Sequence, residues 1–303
     1  MKANISKRME RARFQVGDES VDVALHIWEP PIAKCTTICV HGFAGTGGDF
    51  GPLAETLTQR GIKVIAPDLF GRGQSSFLKN DRNYNLRSQL VPLLAAMRLA
   101  VGPTCYLGTS IGGFLALLAL RGRHWNGAGV VLNDTPTKAN KDVQSFRAQL
   151  FEECQLTFDT RNEAAEYVLN SRSLTYLKGE WREQFLDGRL REVDGKWRMS
   201  FDPLLGKTLG RSNPFTIVRW LQTAPIPVLM LFGEKSPYVH NPLDKKIAAA
   251  NPNVTLMVLP GDPHPPSLMR PGQISKVAAF LDRCFSRAET AAAQKSEIRS
   301  ADR

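Results

Sequence analysis

Three kinds of side chain, far apart along the chain, could together carry out acyl transfer. They are a serine in Gly108-Thr109-Ser110-Ile111-Gly112, a histidine in Gly261-Asp262-Pro263-His264, and a carboxylate at Asp134 or Glu234. A serine hydroxyl is a poor nucleophile at its free pKa and needs exposure, a base and an anion-stabilising site. The pentapeptide follows a short apolar run, Thr104 to Leu107, and precedes a longer one, Phe114 to Leu120. That context predicts strand, sharp turn and helix, the setting in which Gly-x-Ser-x-Gly forms a nucleophile elbow. The flanking glycines let neighbouring segments approach a strained serine backbone where a Cβ would clash. Gly113 adds room where the helix packs back on the sheet. A five-residue match is weak alone; its weight comes from what surrounds it.

The run Thr36-Thr37-Ile38-Cys39-Val40 reads as a buried strand and leads directly into His41-Gly42-Phe43-Ala44-Gly45. A loop after an early strand can aim one backbone N–H at a developing oxyanion, the second coming from the residue after the nucleophile. The expected donors are therefore Phe43 and Ile111. A strand over Lys63 to Ala66 ends in Pro67-Asp68-Leu69-Phe70-Gly71-Arg72-Gly73-Gln74-Ser75, read as a turn in which Asp68 and Ser75 satisfy backbone donors. Among the five histidines, His26 alternates within a strand-like run and reads as a packed or hydrogen-bonded side chain. His41 reads as orienting the oxyanion loop, His124 lies in a polar turn, and His240 follows the strand expected over Pro227 to Phe232. Only His264 follows the last strand candidate, Val254 to Leu259, where a late base can swing over a nucleophile built in mid-chain.

Taken together, His41-Gly42-Phe43, Asp68 to Ser75, Gly108 to Gly112 and Gly261 to Leu268 resemble the α/β-hydrolase superfamily in content and order. Val131-Leu132-Asn133-Asp134-Thr135-Pro136 also resembles the start of the cap in bacterial esterase-like members. The resemblance implies a mostly parallel central sheet, Ser110 as nucleophile and His264 as base, and names no substrate. In most members the triad acid follows the strand seen here at Pro227 to Phe232, as Gly-x-x-Asp or Gly-x-x-Ser-Asp. This chain has Gly233-Glu234-Lys235-Ser236-Pro237, so a serine and a proline stand in the expected acid positions. Three readings stay open. The acid has moved to Asp134, as in some members, keeping the order Ser, Asp, His; Glu234 reaches in with its longer side chain; or no acid is present and the base is poorly oriented. Asp134 would also suit a cap on the turn at Thr135-Pro136.

The elements that must position these residues follow from composition and periodicity. With 303 residues, 43% of them hydrophobic, the chain can bury a large core and fits one α/β domain with an insertion. The expected fold class is α/β, a mostly parallel central sheet flanked by helices (the α/β-hydrolase fold) with an inserted helical cap. Residues 1–136 and 223–286 would form the core and 137–222 the cap, with 287–303 a disordered tail. In the cap the βα alternation gives way to amphipathic segments such as Val143 to Gln155 and Ala164 to Leu169. Trp181, Phe185, Trp197, Phe201, Phe215 and Trp220 would pack it and line an acyl pocket.

Five cysteines without a Cys-x-x-Cys pair suggest neither a disulfide framework nor a zinc site, and a reducing compartment. The polar, basic N-terminus shows no signal peptide, and the longest apolar run, Ile111 to Leu120, is too short to span a bilayer. A cytoplasmic protein is expected. The net charge of +10 is spread among acidic residues, notably from Arg182 to Arg198, and reads as a solvated face rather than a nucleic-acid surface. The expected activity is that of a serine hydrolase, a carboxylesterase acting on a small-molecule acyl substrate through an acyl-enzyme, with no metal or organic cofactor. The alternatives are a lactone, amide or C–C bond hydrolase with the same triad, or a ligand-binding hydrolase-like protein with little turnover. Oligomeric state and chain-length preference have no signature in the sequence.

Overall fold

The computed structural model describes residues 5–120, 127–137, 142–208, 217–239 and 241–301. Its strands are β1 (Ser6–Val16), β2 (Glu19–Glu29), β3 (Cys35–Val40), β4 (Ile62–Pro67), β5 (Thr104–Thr109), β6 (Gly127–Asn133), β7 (Leu190–Val193), β8 (Lys196–Met199), β9 (Val228–Gly233) and β10 (Val254–Leu259). Eight of them form one sheet in the order β1-β2-β4-β3-β5-β6-β9-β10, leaving β7 and β8 as a separate pair. The β1–β2 and β2–β4 pairings are antiparallel and the others in the large sheet are parallel. The fold is thus α/β with a mostly parallel sheet, as expected.

The parallel strands are apolar along nearly their whole length because both faces are covered. In β3, β4, β5 and β9 every residue is buried. Alternation still sorts their side chains between two cores. Ile38 and Val40 join one that includes Leu93 of α2 (Leu86–Met97) and Leu115 of α3 (Ile111–Leu120). Cys39 joins the other, with Leu53 and Leu57 of α1 (Gly51–Thr58) and Val277 and Leu281 of the C-terminal helix. Edge strand β1 instead alternates between half-buried and exposed residues over most of its length, as an antiparallel strand with one wet face does.

Between β6 and β9 lie α4 (Asp142–Glu153), α5 (Arg161–Ser171), α6 (Gly179–Arg189), the β7–β8 hairpin and α7 (Val218–Thr223). This stretch departs from the all-helical reading at the hairpin. Its turn residues Asp194 and Gly195 have φ of 53° and 73°, the conformation that an Asp-Gly pair favours between two antiparallel strands. After β9 come α8 (Pro242–Ala250), β10 and α9 (Pro271–Ala301). The expected disordered tail is corrected here, since α9 continues through it to Ala301. Residues 287–301 contain no Gly or Pro and are rich in Ala, Glu, Gln, Lys and Arg, so a helix already nucleated on the core propagates onward. Among the described residues no helix is long and apolar enough to cross a membrane.

Candidate active site

Ser110 sits between the end of β5 and the start of α3 with φ of 51°, a left-handed conformation uncommon for a serine. Three glycines make the turn possible. A Cβ on Gly112 would lie 2.2 Å from the Val40 carbonyl oxygen, and one on Gly108 would lie 2.4 Å from the Gly112 backbone. On Gly113 it would meet the Thr135 hydroxyl at 2.0 Å. The strained turn is pinned from β6 and the residues after it. Ser110 N–H donates to the Asn133 carbonyl at 2.9 Å, and the Thr135 hydroxyl donates to the Ser110 carbonyl at 3.1 Å.

Asp134 immediately follows β6, also in the left-handed region with φ of 55°, and is fully buried. Its Oδ1 lies 3.2 Å from Nδ1 of His264. The same oxygen accepts from the Ser236 hydroxyl at 2.6 Å, and Oδ2 accepts from Gly233 N–H at 3.2 Å. The serine standing where the acid was expected therefore donates to the carboxylate of the neighbouring strand end. Pairing explains the meeting: β6 and β9 are parallel neighbours with Asn133 opposite Leu231, so residues just beyond each strand reach one corner. Glu234 is brought elsewhere. It is exposed, and its Oε2 accepts from Gly261 N–H at 2.8 Å.

The loop carrying His264 is tied to the elbow by Asn133, whose Nδ2 donates both to the Pro266 carbonyl at 2.9 Å and to the Thr109 hydroxyl at 3.1 Å. The Tyr238 ring meets the imidazole edge-on, with centroids 4.7 Å apart. Asn133, Thr135 and Ser236 escaped sequence reasoning, because their partners lie on other strands.

On the other side of Ser110, His41 is buried and neutral. Nδ1 donates to the Gly42 carbonyl at 2.7 Å and Nε2 accepts from Leu69 N–H at 2.9 Å. Burial pushes its pKa down to about 3. Arg72, also buried, donates to the carbonyls of Phe43 (2.9 Å) and Phe70 (2.5 Å). These bonds hold the Phe43 peptide, and neither Phe43 N–H nor Ile111 N–H meets an acceptor among the described residues. Asp68 and Ser75 have the structural roles expected of them. Asp68 accepts from the N–H groups of Gly47 and Gln74, and Ser75 bridges Ala24 N–H and the Asp68 carbonyl. His26 packs beside Asp68, with Nε2 3.2 Å from both carboxylate oxygens. His124 and His240 lie outside the described residues.

Ser110, His264 and Phe43 open onto one cavity of about 260 Å³. Its other walls come partly from the insertion, through Leu150, Leu174 and Phe185, and partly from Pro265 and Met269. Of the six aromatics assigned to this role, Phe185 lines the cavity and Phe215 lies outside the described residues. Trp181 packs against Gly51, where a Cβ would come within 2.1 Å of its ring, and Phe201 packs edge-on to Phe43.

Comparison with known proteins finds hydrolases. A 3-hydroxybutyrate-oligomer hydrolase from Cupriavidus necator is 28% identical over 277 residues, covering 86% of this chain and 92% of that protein. An α/β hydrolase from Novosphingobium aromaticivorans superposes with a TM-score of 0.75 at 24% identity, covering 91% of this chain and 98% of that one. A thermophilic esterase from Thermogutta terrifontis superposes with a TM-score of 0.65 at 19% identity, covering 91% and 99%. The sequence model of the alpha/beta hydrolase fold family matches residues 38–271, from β3 to the start of α9, and the chain belongs to that family.

Proposed function

We propose that this hydrolase cleaves carboxylic esters through a covalent acyl-serine, with Ser110 as nucleophile, His264 as base and Asp134 as the acid of the triad. The observation that carries the reading is the 3.2 Å approach of the Asp134 carboxylate to Nδ1 of His264, in a cavity shared by His264 and Ser110. A buried carboxylate at Nδ1 keeps the proton there, so that the Nε2 lone pair takes the serine proton. The alkoxide attacks the acyl carbonyl, and its oxyanion is received by the N–H groups of Phe43 and Ile111. His264 then protonates the leaving alcohol, and water cleaves the acyl-enzyme by the same relay. Loss of one oxyanion donor in such a site costs about 3 kcal/mol of transition-state stabilisation. The insertion, residues 137–222, acts as the cap that shapes the acyl side of the cavity. The name of the Cupriavidus relative makes short 3-hydroxybutyrate oligomers the first natural esters to assay.

The ligand-binding alternative drew its support from a missing acid; the approach of Asp134 to His264 favours the hydrolase reading over it. Intact-mass analysis after treatment with a fluorophosphonate tests the assignment. The wild type gains one adduct, while Ser110→Ala gains none, loses ester turnover and keeps its circular dichroism spectrum. Wild-type-like hydrolysis by folded Ser110→Ala would overturn the assignment.

A further inference from the structure

The cavity wall contains two arginines that the proposed triad does not use. Arg172 follows α5 and Arg189 ends α6, and both line the cavity together with Asp49 and Glu153. Their side chains are largely buried, at 22% and 13% exposure. Two cations and two carboxylates sum to zero, so net charge alone attracts nothing; the distribution of hydrogen bonds decides what the site lacks.

Both carboxylates are occupied. Asp49 accepts from Thr46 N–H at 3.0 Å, the Thr46 hydroxyl at 3.3 Å and Nη2 of Arg189 at 2.5 Å. Glu153 accepts from the Tyr167 hydroxyl at 3.3 Å and from both terminal nitrogens of Arg172, at 2.8 and 2.5 Å. Arg189 is the unspent member. Its Nη2–Asp49 bond is the one side-chain hydrogen bond it makes among the described residues; its guanidinium lies 4.9 Å over the Phe185 ring, and its Nε is buried without an acceptor. A guanidinium presents five donors in a rigid fork, and a buried donor left unmatched is costly. The surplus is therefore of donors, in the same cavity as Ser110, and it fits a planar anion able to accept side by side.

We infer that Arg189, supported by Arg172, forms a carboxylate-recognising subsite, and that the preferred substrates are esters carrying a free carboxylate away from the scissile bond. This rests on the proposed ester hydrolysis and adds a substrate class and the residues that select it. A carboxylate there pairs with the Arg189 guanidinium where it lines the cavity, in the charge-assisted geometry that favours arginine over lysine.

The test compares kcat/KM for mono-p-nitrophenyl glutarate with that for p-nitrophenyl pentanoate, which has a methyl group in place of the carboxylate. The wild type favours the glutarate ester, and Arg189→Gln lowers the acid-to-neutral ratio by about ten- to a hundredfold. Arg189→Lys retains part of the preference. Because Arg189 also pairs with Asp49, its variants can lose the fold, so inhibition of the wild type supplies an independent readout. Glutaramate, which keeps the carboxylate, inhibits pentanoate hydrolysis competitively, and neutral glutaramide does not. A wild type that prefers the pentanoate, or is inhibited equally by both amides, overturns the subsite and leaves ester hydrolysis standing. Hydrolysis of neither ester overturns both.

Discussion

Replacing Asp134 with asparagine separates the three readings of the acid, because the structure dictates how the amide must sit. Three groups converge on the buried carboxylate: the Ser236 hydroxyl donates to Oδ1 and Gly233 N–H to Oδ2, while His264 Nδ1 lies 3.2 Å from Oδ1. An asparagine has one oxygen and one NH2 to place in those two positions. With the NH2 at the Oδ2 position, it would face the fixed Gly233 N–H, two buried donors opposed at a cost of about 1–3 kcal/mol. With the oxygen there instead, the NH2 faces Nδ1 and the Ser236 hydroxyl, which can rotate to accept. The second arrangement wins. It makes Nδ1 an acceptor, moves the ring proton to Nε2, and leaves the imidazole unable to take the serine proton.

The expected loss in kcat is then about 10⁴-fold, the magnitude seen when a triad histidine is held in the wrong tautomer, or about 5.5 kcal/mol in barrier height. The backbone should tolerate the change, since asparagine adopts the left-handed conformation found at φ of 55° as readily as aspartate. Glu234→Gln changes kcat/KM by less than about threefold, because an exposed carboxylate bonded to a turn N–H touches none of the proposed reacting groups. Turnover of a p-nitrophenyl ester and the rate of fluorophosphonate labelling, measured on variants with matched melting curves, read both effects. A folded Asp134→Asn enzyme within about tenfold of wild type refutes the tautomer argument, as does a heavier loss in Glu234→Gln.

Three further perturbations probe the supporting structure. Ser236→Ala removes the 2.6 Å donor to the Asp134 carboxylate and lowers kcat by about tenfold or more; Ser236→Thr, which keeps the hydroxyl, loses less in the same steady-state assay. The pKa of His41 falls from about 6.5 to about 3 on folding, so the unfolded chain binds the extra proton and stability drains as pH drops below 6.5. In urea titrations the stability advantage of wild type over His41→Gln should shrink as pH falls from 6.5 to 5, with a slope that rises towards about 1.4 kcal/mol per pH unit, and an advantage that grows on acidification would contradict a neutral buried ring. Gly112→Ala places a Cβ 2.2 Å from the Val40 carbonyl oxygen and costs about 3 kcal/mol or more, whereas Gly272→Ala, with nothing near its Cβ, leaves the urea midpoint within experimental error.

What could be read from the chain and what could not divide along a physical line. The serine elbow, the loop after β3 and the late histidine are local patterns, in which strand, glycines and polar residue lie within a few positions of one another. Even the missed hairpin had a local signal, Val193-Asp194-Gly195-Lys196, hidden because its flanking charges resemble a solvated helix. The α9 extension was misread for the opposite reason: a polar, Ala-rich end suggests fraying, yet its residues are strong helix formers. The proposed triad acid has no local signal at all. In the sequence, Asp134 and Ser236 are a cap residue and a hole in a motif, separated by the whole insertion. In the fold their side chains are 2.6 Å apart, because β6 and β9 are adjacent and parallel and end within two residues of each other in register. A carboxylate on either strand end can reach the same imidazole, and the other end then needs only a small donor to stabilise it. The absence of Asp from the expected position is therefore no measure of lost chemistry; the measure is whether any strand end bordering that corner supplies the charge. The same holds for Arg189, whose nearest charged partner, Asp49, lies 140 residues away along the chain and becomes meaningful only when the insertion folds back over Ser110.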